Sequence, residues 1–349
     1  MAGSHNPIGV HLVGSIPLSS TDEVFTKVAA ALPNRLYSIP DGETGNRLNW
    51  IAWQIPRFPK ETVRLFLGGT DLPADHPGIF NQGSVEPSDY DKLAIESYER
   101  FVALRQQKII PEGVRFQVSL PSPFACIIGH IRPEFHAQLE PFYEHRILEA
   151  LDSIIRSIPS HDLAIQWDLS FEICVLEYER GRLTDDFFKP HFDNIKEELL
   201  NRTQRLCERI PNEVHMGFHL CYGDLFHKHF IEPEDLGVAV NFANDVLKRI
   251  GKERSVQWIH MPVPKERDDT SYFKPLTGLQ INEGTRLVLG VVHANDPDGT
   301  QRRIKAAQSV IQRSFGVATE CGMGRTPLEE LDSILRISKD VTAPISQSS

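Results

Sequence analysis

Residues 215–224 read HMGFHLCYGD, and the fold turns on how this stretch ends. A short apolar, strand-like run over 214–218 stops at His219-Leu220-Cys221. Alternate side chains of an extended chain point the same way, so His219 and Cys221 project together from the strand's C-terminal end. A soft sulfur beside an imidazole suits zinc better than magnesium or calcium, which take oxygen ligands. A third donor is Cys321, where the apolar segment 315–318 breaks at Glu320-Cys321-Gly322. Taken alone, His-x-Cys equally fits a small buried thiol beside a satisfied core histidine. The rest of the chain has to separate the two readings.

Working outward, the same pattern repeats. Strand-like runs at 9–13, 35–39, 114–120, 163–167, 214–218, 255–259, 286–292 and 316–320 alternate with helical patterns. Those helices are expected from the Ser19–Asp22 cluster (Ser20 or Thr21 as cap) and over 89–107, 140–157, 191–210, 233–250 and 327–337. Repeated βα units imply a parallel sheet, and eight of them predict an α/β protein of the (β/α)8 TIM-barrel class. Ser15, Glu43, Asp168, His219, Cys221, His260, His293 and Cys321 all fall at strand C-termini. In such a barrel those ends converge on one mouth, where active sites are built. Domain organisation follows as a single barrel over 1–349. The Gly- and Pro-containing connection 66–88 is expected to be a lid or insertion, and the Ser-rich stretch 340–349 a flexible tail.

Composition narrows the function classes. The 349-residue chain is long enough for one large barrel or two ordinary domains. A formal net charge of -10 without a basic cluster argues against nucleic-acid or anionic-membrane partners. No basic-then-apolar leader and no run of about 20 apolar residues is present, so neither secretion nor membrane insertion is expected. Five cysteines in so long a chain make no disulfide framework and fit a reducing, cytoplasmic setting. Cys126, Cys174 and Cys207 read as packing residues, and His227, Lys228 and His229 as a solvated rim. Asn295-Asp296-Pro297-Asp298-Gly299 reads as a turn and helix cap, lacking the acid series of an EF-hand. No P-loop, dinucleotide fingerprint or nucleophile elbow occurs. Oligomeric state is left open.

Taken in order, the motifs resemble one family. His11-Leu12-Val13-Gly14-Ser15-Ile16-Pro17 is similar to Ile-Gly-Ser-Phe-Pro, and Asp41-Gly42-Glu43 to His-Gly-Glu. Ile165-Gln166-Trp167-Asp168 resembles Ile-Gln-Ile-Asp, and His219-Leu220-Cys221-Tyr222 resembles His-Met-Cys-Tyr. Val292-His293 falls where Asp-Ile-His is expected, and Cys321-Gly322 where Asp-Cys-Gly is. These are motifs of the catalytic half of cobalamin-independent methionine synthase and its wider (β/α)8 family, which shares a barrel with uroporphyrinogen decarboxylase. The resemblance covers nearly the whole chain. It implies a zinc site of His219, Cys221 and Cys321, completed in the family by a glutamate at the end of the sixth strand. Here that strand ends in His260, which becomes the expected fourth ligand. The resemblance further implies that Ser15, Glu43 and Asp168 bind the amino-acid part of a homocysteine-like substrate, and that His293 is the catalytic proton donor.

The chemistry expected of such a site is thiol activation. Zinc acts as a Lewis acid, and a thiol bound to it loses its proton at neutral pH. Substituting an imidazole for the family's carboxylate makes the ion and its protein ligands neutral, which favours activating water or polarising a carbonyl. Glu43 and Asp168 suit an ammonium group, the competing reading being a helix cap or a pair with an arginine such as Arg47. His293 is a proton donor, a substrate hydrogen-bond partner or a buried structural histidine, and Val291 stands where the family has an acidic partner for it. Three functions follow: a zinc-dependent methyl- or alkyltransferase acting on a small thiol or amino-acid-like substrate; a diverged lyase, hydrolase or decarboxylase acting on a specialised metabolite; or a metal- or ligand-binding barrel without catalysis. Use of a folate donor is left open.

Overall fold

In the computed structural model, which describes residues 6–75, 77–223, 228–251 and 254–346, seven strands pair in chain order and all run parallel. They are β1 (Ser38–Pro40), β2 (Arg115–Pro121), β3 (Leu163–Leu169), β4 (His215–Leu220), β5 (Trp258–Pro262), β6 (Arg286–Val292) and β7 (Phe315–Thr319). Helices α1 (Thr21–Ala31), α2 (Tyr90–Gln106), α3 (Pro123–His130), α4 (His136–Ser157) and α5 (Ser170–Glu179) accompany the first three strands. The rest are α6 (Ile195–Glu208), α7 (Gly237–Ile250), α8 (Thr270–Phe273), α9 (Pro297–Val310) and α10 (Leu331–Asp340). Strands buried from end to end, such as β3, are what a parallel sheet covered by helices requires. The result is an α/β fold with a curled parallel sheet of the TIM-barrel-like kind.

The first expected strand is corrected. Residues 9–13 form no strand, because Gly9 takes a positive φ of 77° that leaves the extended region. Val10 makes isolated parallel bridges to Leu36 and to Val317. The His11 amide donates to the Val317 carbonyl at 2.8 Å and the Val10 amide to the Arg35 carbonyl at 2.8 Å. This segment is thus bonded toward both edges of the sheet. Residues 340–346, expected to be flexible, are bonded to the same region: the Ala343 amide donates to the Pro7 carbonyl at 2.8 Å and the Ile345 amide to the Asn34 carbonyl at 2.8 Å.

The 66–88 connection lies on α4. The Phe80 amide donates to Gln138, Gln82 donates to the Phe142 carbonyl, and Arg146 donates to the Val85 carbonyl. None of its described residues lines the cavity that holds the candidate site.

Register builds the interior in layers. Residues aligned on adjacent parallel strands project to the same side. Ser119, Gln166, Gly217, Trp258 and Arg286 align across β2 to β6. Gly217 must be glycine there, because a Cβ would run into the Trp258 indole. Gln166 organises this layer: its amide donates to the Val13 carbonyl, and its oxygen accepts from His11 Nε2 and Trp258 Nε1. Two residues further along, Asp168, His219 and His260 align across β3, β4 and β5, forming the floor of the site.

Candidate active site

One cavity is lined by Ser15, Glu43, Asp168, His219, Cys221 and Cys321, together with Trp50 and Arg325. Six of the eight residues singled out at strand ends therefore meet in one place. His260 lies beneath them and His293 beside them.

The donor atoms of His219, Cys221 and Cys321 all lie within 4.8 Å of one another. Cys221 Sγ and Cys321 Sγ are 3.9 Å apart, and Cys321 Sγ is 3.6 Å from His219 Nε2. Bonds of about 2.3 Å to sulfur and about 2.0 Å to nitrogen around a tetrahedral zinc put two sulfurs about 3.8 Å apart and sulfur and nitrogen about 3.5 Å apart. The donor set and its spacing fit such an ion. The geometry comes from two strand ends: β4 carries His219 and leads directly into Cys221, while Cys321 follows β7.

His260, expected as the fourth ligand, is not among the donors that cluster in the described residues. Its Nε2 donates to the Thr319 carbonyl at 3.0 Å and its Nδ1 meets His219 Nδ1 at 2.7 Å, so both ring nitrogens are engaged. Burial holds the His260 imidazole neutral, lowering it from 6.5 to about 4, and burial and the neighbouring His260 hold His219 well below its usual value.

Beside His219 on the neighbouring strand, Asp168 accepts from Gln166 Nε2 at 2.9 Å and from the Trp50 indole at 3.2 Å. Burial outweighs these two bonds and raises its carboxyl from 3.8 to about 7. Glu43 is pushed well above the usual carboxylate range, first by desolvation and then by Asp168. Arg47 pairs with Asp41 at 2.8 Å, the alternative envisaged for Glu43 or Asp168. Ser15 Oγ accepts from the Gly324 amide at 3.1 Å, tying the first loop to the one that carries Cys321.

His293 faces a neighbouring cleft that shares Cys321 and Gly322 with the cavity and adds Lys265, Arg267 and Glu320. Its Nε2 donates to the Val263 carbonyl at 2.9 Å, and burial lowers its affinity for a proton. The rim expectation is corrected for His229, whose side chain is only 8% exposed and sits 3.1 Å from Glu320 and 3.2 Å from Glu232. Lys228 is exposed, and His227 lies outside the described residues. Cys126, Cys174 and Cys207 are free and buried, as packing residues are.

Trp50 was not foreseen. It sits at a kink where the short helical turns of Gly45–Arg57 break, with φ 53° and ψ -116°, and its ring stacks on Phe171. Backbone in that region costs about 1–3 kcal/mol and persists where contacts over-determine it. The bond to Asp168 is such a contact. No sequence period signals it, whereas Gln166 stood two residues before Asp168 on an inward-facing strand position and was legible.

No family model matches the chain, and no curated protein matches it. Among solved structures, the chain is similar to a protein from Listeria monocytogenes assigned as a vitamin-B12-independent methionine synthase, at 13% identity and a TM-score of 0.53, over 98% of this chain and 100% of that one. A methyltransferase from Methanosarcina mazei matches at 12% identity and a TM-score of 0.49, over 97% and 94%. A B12-independent methionine synthase from Shewanella in complex with selenomethionine matches at 12% identity and a TM-score of 0.43, over 71% and 64%. At such identities the likeness to the Listeria protein shows the fold alone. The structural neighbours are methionine-synthase-like proteins and a methyltransferase.

Proposed function

We propose that the chain is a zinc-dependent transferase of the methionine-synthase-like kind, acting on a small amino-acid-like thiol from a single (β/α)8 barrel closed through residues 8–11. The observation that carries this reading is the convergence of His219, Cys221 and Cys321 in a cavity also lined by the carboxyls of Asp168 and Glu43. His219, Cys221 and Cys321 would hold the zinc ion, which would supply Lewis-acid chemistry that lowers the pKa of a thiol at the site. The chain's own groups do the rest. Glu43 and Asp168 receive a substrate ammonium, whose charge offsets the carboxyls' desolvation. Ser15 holds the loop of Cys321 in register. His293, which lines the adjoining cleft, would be the group that hands a proton to a leaving group there. Five free cysteines fit a reducing, cytoplasmic compartment.

A second reading, hydrolytic or lyase chemistry on a specialised metabolite, is favoured by one observation. With His260 committed to His219 and Thr319, three protein donors converge among the described residues, and catalytic zinc sites keep a fourth position open. X-ray absorption on the zinc-loaded protein separates the readings. Sulfur from added homocysteine entering the metal shell supports the transferase. Exchange of oxygen ligands alone supports the second reading. A protein that takes up no zinc overturns both.

A further inference from the structure

We infer that His260 is a positioning residue that fixes His219 in the tautomer whose bare Nε2 faces Cys321, and that the Thr319 carbonyl fixes His260 in turn. The inference rests on the metal-site reading above, but the hydrogen-bond chain itself needs no ion.

Proton accounting carries the argument. A carbonyl oxygen only accepts, so the 3.0 Å contact to Thr319 requires a proton on His260 Nε2. A neutral imidazole has one ring proton, which leaves His260 Nδ1 a bare acceptor. At 2.7 Å the two Nδ1 atoms need one proton between them, and it must then sit on His219. His219 Nε2 is left with its lone pair, 3.6 Å from Cys321 Sγ. A metal-binding histidine needs this state, its other nitrogen donating to a fixed partner.

Burial makes the chain hard to replace. His260 is 0% exposed and His219 is 3% exposed, so water has little access to take over a lost bond. Turning His260 toward the cavity to serve as a ligand would leave the His219 N–H and the Thr319 carbonyl without these partners. Thr319 also acts on the other side of the cluster, its hydroxyl donating to the Cys321 carbonyl at 2.7 Å. One residue at the end of β7 thereby sets two of the three donors, His219 through its carbonyl and Cys321 through its hydroxyl.

The test uses His260→Leu and His260→Gln in the full chain. A glutamine amide can accept from His219 and donate to Thr319, while leucine can do neither. Nitrogen-15 histidine spectra of the metal-free wild type at neutral pH are expected to show His219 protonated at Nδ1 and bare at Nε2. Competition with a chromophoric chelator is expected to show zinc affinity about 10- to 100-fold weaker in His260→Leu and close to wild type in His260→Gln. The opposite His219 tautomer, two imidazoles in the zinc shell of the wild type, or an unchanged affinity in a folded His260→Leu protein overturns the inference. Should the leucine variant fail to fold, the wild-type tautomer decides. Should the wild type take up no zinc, the proposed function fails, while the spectra still uphold or overturn the histidine chain.

Discussion

Ser15 Oγ accepts a hydrogen bond from the Gly324 amide across 309 positions of sequence. The Met323 amide donates to the Ser15 carbonyl at 2.7 Å, so two consecutive amides lace the loop of Ser15 to the one that carries Cys321. No larger residue fits at position 324, because a Cβ there would run into the Leu48 carbonyl oxygen and crowd Ser15. Gly324→Ala is expected to cost about 1–3 kcal/mol by overpacking and to displace Cys321. Denaturant melts and zinc titration check both effects. A variant that melts and binds zinc like the wild type would remove the lacing from the account.

Removing a donor should remove the ion. Cys221→Ser and Cys321→Ser are each expected to lose stoichiometric zinc, read by elemental analysis of dialysed protein. An ion that binds only the folded chain raises its melting temperature, so added zinc should stabilise the wild type and leave both variants unmoved. Cys207→Ala, on α6 and away from the cluster, should retain the zinc response. Its loss in Cys207→Ala, or its survival in both serine variants, would locate the ion elsewhere.

Asp168 gives a signed pH dependence. Its carboxyl rises from 3.8 to about 7 on folding, with desolvation the largest cause. A group that holds its proton more tightly when folded adds stability below its unfolded value, and that contribution fades as pH climbs through its folded value. Unfolding free energy should therefore fall more steeply from acid to neutral pH in the wild type than in Asp168→Asn. Parallel pH profiles for the two proteins would show that Asp168 is solvated after all.

His229 runs on the same rule with a base. Burial lowers its proton affinity, but Glu320 and Glu232 outweigh that and raise it from 6.5 to about 9. The stability this pairing adds is complete below 6.5 and is lost as pH rises through about 9. Glu320→Gln should lose on the order of 1 kcal/mol at neutral pH, and the difference from wild type should close at more alkaline pH. Urea unfolding at both pH values measures it, and a gap that persists at alkaline pH would sink the pairing.

Much of the site was legible because each donor stands at the end of an apolar run, where chain direction alone says which end of the sheet it reaches. His219, Cys221, Cys321, Asp168, Glu43 and Ser15 could be found this way. What could not be read is how side chains turn once there. His260 occupies the same inward row as His219, yet it faces Thr319, and nothing local announces that bond. Of the helices outside the expected ranges, α3 and α5 escaped for different reasons. Pro121-Ser122-Pro123 looked like a stop, but Ser122 caps α3 and Pro123 opens it, a recognised start signal. In α5 the residues from Ser170 to Glu177 are all buried, so no amphipathic period marks it. Residues 9–13 read as a strand because an apolar run does not reveal that Gly9 breaks its extended geometry.

The separation of Cys221 from Cys321 by 100 positions has a bearing on biosynthesis. At about 5–20 residues per second, translation leaves an interval of about 5–20 seconds between them. A nascent chain in that window offers only an imidazole and one sulfur, a grip that competing cellular thiols can break. On the metal-site reading proposed above, stable loading would wait until the last βα unit has docked, and the choice of ion would fall to the finished fold rather than to the chain on the ribosome.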